Sequence, residues 1–367
     1  MNRLTAIGLA SLVAYGLLIA SKYTGFVSAA REDKATHQAA SGPLVVGSAV
    51  FGVSPEPAQR TVSLPPPVAR AEQMRASPSA LEFRAARDLK AFADALNARR
   101  ASLTSDERYH LAKALEECQF TTTVNEDLAA YSAKQRRQFL QGLTGSEAAN
   151  AKRIAAYDAV DNTQRCLRFQ GAKIAQKDIE DLFQGAAMQG DARAQARLLV
   201  AELNSKVSSA NRPESSSNAR LETDDFSRIV RLLETNDPEA MMIVGGFLAQ
   251  SAMTTQLRIG PNGETPEPSA LLGGFSLVAC ELSDCVQLSR EPQLACAYGG
   301  YCDAASFDEL YQNFMVSPWT YIQARRYQDI INSAIETRNW ALIGLVPSAV
   351  NGDKRSTLAS SSDLRAK

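Results

Sequence analysis

The sequence predicts an all-α body built of antiparallel helical hairpins, with a short irregular solenoid among the arrangements they allow, stapled by disulfides. Three observations predict it. From Pro78 to about Leu345 apolar residues recur at helical spacing behind capping signals, and no alternating, β-branched run competes. Six cysteines, an even number, sit in a chain that opens like an exported protein, the setting in which thiols pair. A net charge of -1 on 367 residues, 45% hydrophobic and 22% charged, fits a chain able to bury a core. That charge leaves no basic footprint for nucleic acid, and the compact cluster Lys134, Arg136 and Arg137 reads as a solvated helix face.

Residues 1–26 read as a signal-anchor or a signal peptide. Arg3 precedes an uncharged run from Leu4 to Ser21 that ends at Lys22. A cleaved peptide needs an apolar core of about 7 to 15 residues and a small-x-small site, which Ser28 and Ala30 supply; a spanning helix needs about 20. The run lies between the two, and Lys22 sits awkwardly before the cleavage site, which favours an uncleaved anchor through residues 4–21. The expected location is therefore the periplasm, tethered to the inner membrane. The alternative is a cleaved chain, soluble in the periplasm or secreted. Residues 27–79 carry Pro43, Pro55, Pro57, Pro65, Pro66, Pro67 and Pro78 and read as a flexible linker. PLVVGSAVFGV, residues 43 to 53, is the exception, apolar enough to dock or pair as a strand.

The body is expected over residues 80–345, followed by a disordered tail at 346–367. In LTSDERYHLAKALEEC, Thr104 and Glu107 form a capping-box signature, and Leu111, Leu115 and Cys118 share one face. Thr144 and Glu147 repeat the start signal, with Gly171 as the stop of a long helix containing Cys166. Ser306 with Glu309, and Ser317 before Pro318, open two more helices. Between them two hairpins are expected, at residues 178–204 and 223–252. Ile179, Leu182, Phe183 and Ala186 form the stripe of the first, which turns at Gly190 and restarts at Asp191; Phe226, Ile229, Val230 and Leu233 form the second, which restarts at Asp237 and Pro238. The polar stretch at 206–223 reads as a loop between them.

The phrases AAMQGDARAQARLL and NDPEAMMIVGGFLA in these hairpins are similar to the helix-turn-helix junctions of Sel1-like and tetratricopeptide repeats. The resemblance covers about residues 178–252 and implies a solenoid whose concave face binds peptides or proteins. The repeat spacing, Asp191 to Asp237, exceeds the tetratricopeptide period, and that family's Trp and Tyr marker positions are not reproduced. ACAYGGYC resembles a motif of exported Gram-negative proteins and brings no activity with it.

Four cysteines fall between Cys280 and Cys302. A zinc site would want pairs two to four residues apart, and the spacing here does not repeat that in both halves. Disulfides are the expected state. Sequence permits three pairings among Cys280, Cys285, Cys296 and Cys302. An antiparallel Cys-rich hairpin over 268–303 would favour nested bridges, Cys280 to Cys302 and Cys285 to Cys296. Cys118 and Cys166 would then close a loop of about 50 residues, worth about 4 kcal/mol in the chain-entropy model.

Catalytic signals are sparse. His37 lies in the linker and His110 reads as a partly exposed helix residue, so no triad or multi-histidine metal site is spelled out. No phosphate-loop, dinucleotide, nucleophile-elbow or zincin motif occurs, and no cofactor is expected. The adjacent acids Glu116 and Glu117, and Asp308 and Glu309, point about 100° apart on a helix and read as solvated charge or caps. Eight aromatics, Tyr298, Tyr301, Phe307, Tyr311, Phe314, Trp319, Tyr321 and Tyr327, crowd one span; Phe314, Trp319 and Ile322 at helical spacing read as core. The leading expectation is a non-enzymatic binding or scaffold module for a protein or peptide. The alternative is an envelope-polymer hydrolase using paired carboxylates.

Overall fold

Helix α1 begins where a serine and a proline meet: Ser77 Oγ accepts from the Ala80 amide at 3.1 Å, and Pro78 takes the first helical position, where no amide is needed. The computed structural model describes residues 75–122, 127–210, 221–283, 285 and 290–345, all within the unit Pro65–Lys367. The anchor at 1–26, the apolar piece at 43–53 and the tail at 346–367 lie outside them. The linker was expected to run to Ser79, but the helix is under way by Pro78.

The described helices are α1 (Pro78–Ala85), α2 (Leu89–Asn97), α3 (Ser105–Cys118), α4 (Leu128–Gln141), α5 (Glu147–Val160), α6 (Asn162–Cys166), α7 (Gln176–Met188), α8 (Ala192–Ala210), α9 (Thr223–Leu233), α10 (Pro238–Ser251), α11 (Pro268–Leu282), α12 (Glu291–Leu294), α13 (Phe307–Leu310) and α14 (Pro318–Thr337). Single π-turns follow α12 and α13, over Ala295–Gly299 and Tyr311–Met315. Among the described residues the only β contact is an isolated antiparallel bridge between Ile259 and Glu264. The body is all-α.

Packing runs between neighbours: α2 on α3, α3 on α7, α7 on α8, α8 on α9 and α10, α10 on α11, α11 on α14. Two apolar cores result. The amino-terminal one gathers residues such as Phe83, Leu89, Phe92, Leu111, Cys118, Phe169, Ile179 and Phe183; the carboxy-terminal one is built around Leu203, Ile229, Met241, Phe247, Phe275, Tyr327 and Ile331. Each fully buried side chain of this size contributes about 1.5–3 kcal/mol over its exposed state. The stripe of α7 is buried as its spacing predicts, and Gly190 makes the turn with φ at 90°.

Several expectations need correction. The long helix from Glu147 breaks at Asp161, whose Oδ1 accepts from the Thr163 and Gln164 amides at 2.9 and 3.2 Å and so starts α6. Its cap is Ser146, not Thr144. The loop expected from 206 is still helix to Ala210, and within that last stretch Lys206 reaches Asp225 at 2.8 Å. Among the described residues α11 packs chiefly on α10 and α14 while 291–299 packs on α5, so the two do not pair as the expected Cys-rich hairpin. The nested bridges fall with it. Cys280 pairs with Cys285 and Cys296 with Cys302, each within its own segment, and Cys118 pairs with Cys166.

A third, small core lies apart from the others. Ala156 and Tyr157 of α5 meet Cys296 and Ala297, with Phe139 and Cys302 at the edge. Phe139 stacks on Tyr157 at 4.2 Å, and Tyr298 stands edge-on to both at 6.0 Å.

Candidate functional site

Charged side chains concentrate where the two large cores meet, on α3 and the first turns of α8 and α10. Those first turns are set by local sequence. Asp191 caps α8 by accepting from the Ala194 amide at 3.0 Å, and Asp237 caps α10 by accepting from Ala240 at 2.8 Å, with Pro238 behind it. The caps bring Arg193 and Glu239 to face α3. Arg193 Nη2 donates to Asp106 Oδ1 at 2.7 Å and to Asp191 Oδ2 at 2.6 Å, and its guanidinium lies 4.4 Å from the centre of the Tyr109 ring. Tyr109 is fully buried, and its hydroxyl donates to Glu239 Oε1 at 2.7 Å. Lys113 Nζ reaches the same oxygen at 2.7 Å, and Arg197 pairs with Glu116 one turn further along.

The electrostatics follow from these contacts. Burial alone would raise the Asp106 carboxyl, but hydrogen bonds from His110, Arg193 and Ser77 outweigh it and hold the group well below the ordinary carboxylate range. Burial would likewise raise Glu239; the Lys113 ammonium and the Tyr109 hydroxyl bring it down to about 2. Arg193 is pushed up by its two carboxylates against the opposing effect of burial. Tyr109 is pushed well above its usual value, by burial first and then by Glu239. Near neutral pH Asp106 and Glu239 are thus held ionised, and Arg193 and Tyr109 protonated. Asp237 is the exception: burial raises it despite its cap hydrogen bond. The seam fastens three helices more readily than it shuttles protons.

His110 is buried, only 2% exposed, rather than partly exposed as its sequence setting implied. Its Nδ1–H donates to the Asp106 carbonyl at 2.9 Å, and its ring lies against Phe83 and Tyr109 at 5.6 and 5.4 Å. The reason is that α3 is covered by α1, α2 and α7 together, so more than its apolar stripe is enclosed.

The adjacent acids do not converge. Glu116 faces Arg197, whereas Glu117 faces Arg165 at 3.0 Å and Arg290 at 3.7 Å. Glu309 accepts from the Ala305 amide at 2.7 Å as a cap, and Asp308 accepts from the Tyr321 hydroxyl at 3.1 Å. Of the basic cluster, Arg136 makes a two-point contact with Asp158 at 2.9 and 3.0 Å on an exposed face. Among the described residues no group of three or more His, Cys, Asp or Glu is placed to hold a metal ion, and the six cysteines are all in bridges.

No family model, curated protein or solved structure matches this chain. Its own geometry must carry the reading.

The aromatic span divides in two. Phe307, Tyr311 and Tyr327 are core, while Tyr301 stacks on Phe314 at 3.5 Å near the surface. Trp319 and Ile322, expected inside, stand 59% and 61% exposed. On α14 the buried positions are Ala324, Tyr327, Gln328, Ile331 and Ala334, so the face carrying Trp319 and Ile322 turns away from α11. Periodicity grouped Trp319 with Ile322 correctly and assigned them to the wrong side. The residues of the seam were missed as a group: Asp106 and Arg193 lie 87 positions apart, and Tyr109 and Glu239 lie 130 apart. The capping aspartates Asp191 and Asp237 were its one legible trace.

Proposed function

We propose that this chain is a helical binding or scaffold module that engages a protein or peptide partner without a catalytic step. The observation that carries it is the exposure of Trp319 and Ile322, one turn apart on the outer face of α14. Tryptophan is among the residues enriched where binding energy concentrates, and here it stands beside a second exposed apolar side chain. The α7–α8 and α9–α10 hairpins serve as two units of the Sel1-like or tetratricopeptide kind, extended on both sides by helices that pack on their neighbours. Three disulfides suit an oxidising compartment, and the reading places the body in the periplasm, tethered through residues 4–21 or released by cleavage. Among the described residues no helix is long and apolar enough to cross a membrane, and the anchor segment lies outside them.

The test is capture from envelope extracts of the native host with the full oxidised chain as bait. A partner should be recovered by the native bait and lost about tenfold or more with Trp319→Ala/Ile322→Ala, as expected for an anchor residue. Equal recovery by both baits, or no partner above a bait lacking residues 75–345, would reject the reading.

A further inference from the structure

We propose that the Cys296–Cys302 bridge is a redox-sensitive latch that keeps the 296–302 segment in the shape on which α5 docks. Among the described residues the substantial packing partners of α5 are α12 and the π-turn Ala295–Gly299. Arg153 Nε donates to the Ala297 carbonyl at 3.0 Å and its Nη2 to the Tyr298 carbonyl at 3.4 Å, while Lys152 pairs with Asp303. Beneath these contacts lies the small core of Ala156, Tyr157, Cys296 and Ala297 with Phe139 and Cys302. Two of its six members are the bridge itself. The bridge does not reach α5; it closes the 296–302 segment on whose π-turn α5 packs, and a satellite core of this size holds little in reserve if that segment loosens.

Access separates this bridge from the others. Cys118 and Cys166 are both fully buried within the amino-terminal core. Cys302 is half-buried at the edge of the satellite core, within reach of an attacking thiolate, and Cys296 behind it is only 8% exposed. The Cys280–Cys285 bridge is also half-buried, but it packs against the large carboxy-terminal core and not under a small separate one. The reductant is a dithiol. One of its thiolates attacks Cys302 Sγ, the S–S bond breaks and Cys296 leaves as a thiolate; the second thiol then displaces Cys302 and closes the reductant's own disulfide. Two electrons and two protons pass to the pair. Unbonded sulfurs cannot share the volume a bridge fills, so Cys302 must leave the small core and the π-turn loosens from Arg153.

The experiment treats the full, natively folded chain with graded dithiothreitol, traps thiols with N-ethylmaleimide, maps the labelled peptides and follows backbone hydrogen exchange in parallel. Cys296 and Cys302 should be labelled while Cys118 and Cys166 carry none. At the same point exchange over α5 should rise by about tenfold or more, with α3 and α10 unchanged. Cys296→Ser/Cys302→Ser should reproduce that rise without reductant, and Cys280→Ser/Cys285→Ser should not. Labelling of all six cysteines together, labelling of Cys296 and Cys302 with α5 exchange unchanged, or a rise in the Cys280→Ser/Cys285→Ser variant would each overturn the proposal.

Discussion

Asp237 performs two tasks that conflict. As the cap of α10 it must offer an oxygen to the Ala240 amide, and as part of the seam it sits half-buried near Glu239 and Asp191, where its charge is unwelcome. Its folded-state pKa is raised, so its contribution to stability is complete below the unfolded value and is lost as pH rises through the folded one. Glu239 has the opposite sign: held at about 2, it stabilises above the usual glutamate range, and that contribution fades as pH falls toward 2. Asparagine keeps the capping oxygen and discards the charge. Asp237→Asn should therefore be more stable than the native chain at pH 7, with the advantage gone near pH 3, where the aspartate is protonated in both states. Asp237→Ala should lose about 1 kcal/mol near pH 3, because the cap itself is gone, and less at pH 7, where losing the charge offsets part of that cost. Urea melts at the two pH values separate these outcomes, and an Asn variant weaker than native at pH 7 would show that the charge is needed beside Arg193.

At the scale of helices, close crossings decide what can be replaced. A Cβ on Gly274 of α11 would lie 2.9 Å from Tyr327 Cβ, 3.2 Å from the Gln328 amide nitrogen and 3.3 Å from the Ala324 carbonyl, all on α14 and two of them backbone. A Cβ on Gly246 of α10 would meet nothing within 4 Å. Gly274→Ala should thus cost about 1–3 kcal/mol by forcing the α11–α14 pair apart, while Gly246→Ala should be neutral or gain up to about 1 kcal/mol from helix propensity. Paired denaturant melts give both numbers, and similar effects at the two sites would mean that the crossing is not tight. Such partnerships were not legible in the sequence. Local signals were: capping at Thr104, Ser306, Ser317, Asp191 and Asp237 all appear as read, because a cap needs only the next three residues. Periodicity gave the stripe of α7 but could not say which face of α14 meets α11, since that depends on a helix some 50 positions away. For the same reason Trp319 and Ile322 were misplaced, and the Asp106–Arg193–Asp191 group went unseen.

Across the whole molecule the three bridges divide by span. The two short ones close segments of 5 and 6 positions, whereas Cys118–Cys166 spans 48 and joins α3 to α6 across the intervening α4–α5 excursion. Constraint of the unfolded chain grows with the logarithm of the loop, giving about 4 kcal/mol for the long bridge and about 2 kcal/mol for each short one. Non-covalent contacts already guard the same joint. Arg165, next to Cys166, is nearly enclosed; it donates to the carbonyls of Phe83 at 2.8 Å and Ala86 at 2.9 Å and pairs with Glu117 at 3.0 Å. These contacts form only in the folded state, so they keep α6 in register without touching the unfolded ensemble. Cys118→Ser/Cys166→Ser should consequently fold with its helical content intact yet unfold at lower denaturant, by the equivalent of about 4 kcal/mol. That is a large share of the roughly 5–15 kcal/mol that holds a domain together. Far-ultraviolet circular dichroism with guanidinium melts measures it. A loss under about 1 kcal/mol would mean that the Arg165 contacts alone set the joint and that loop closure adds little here.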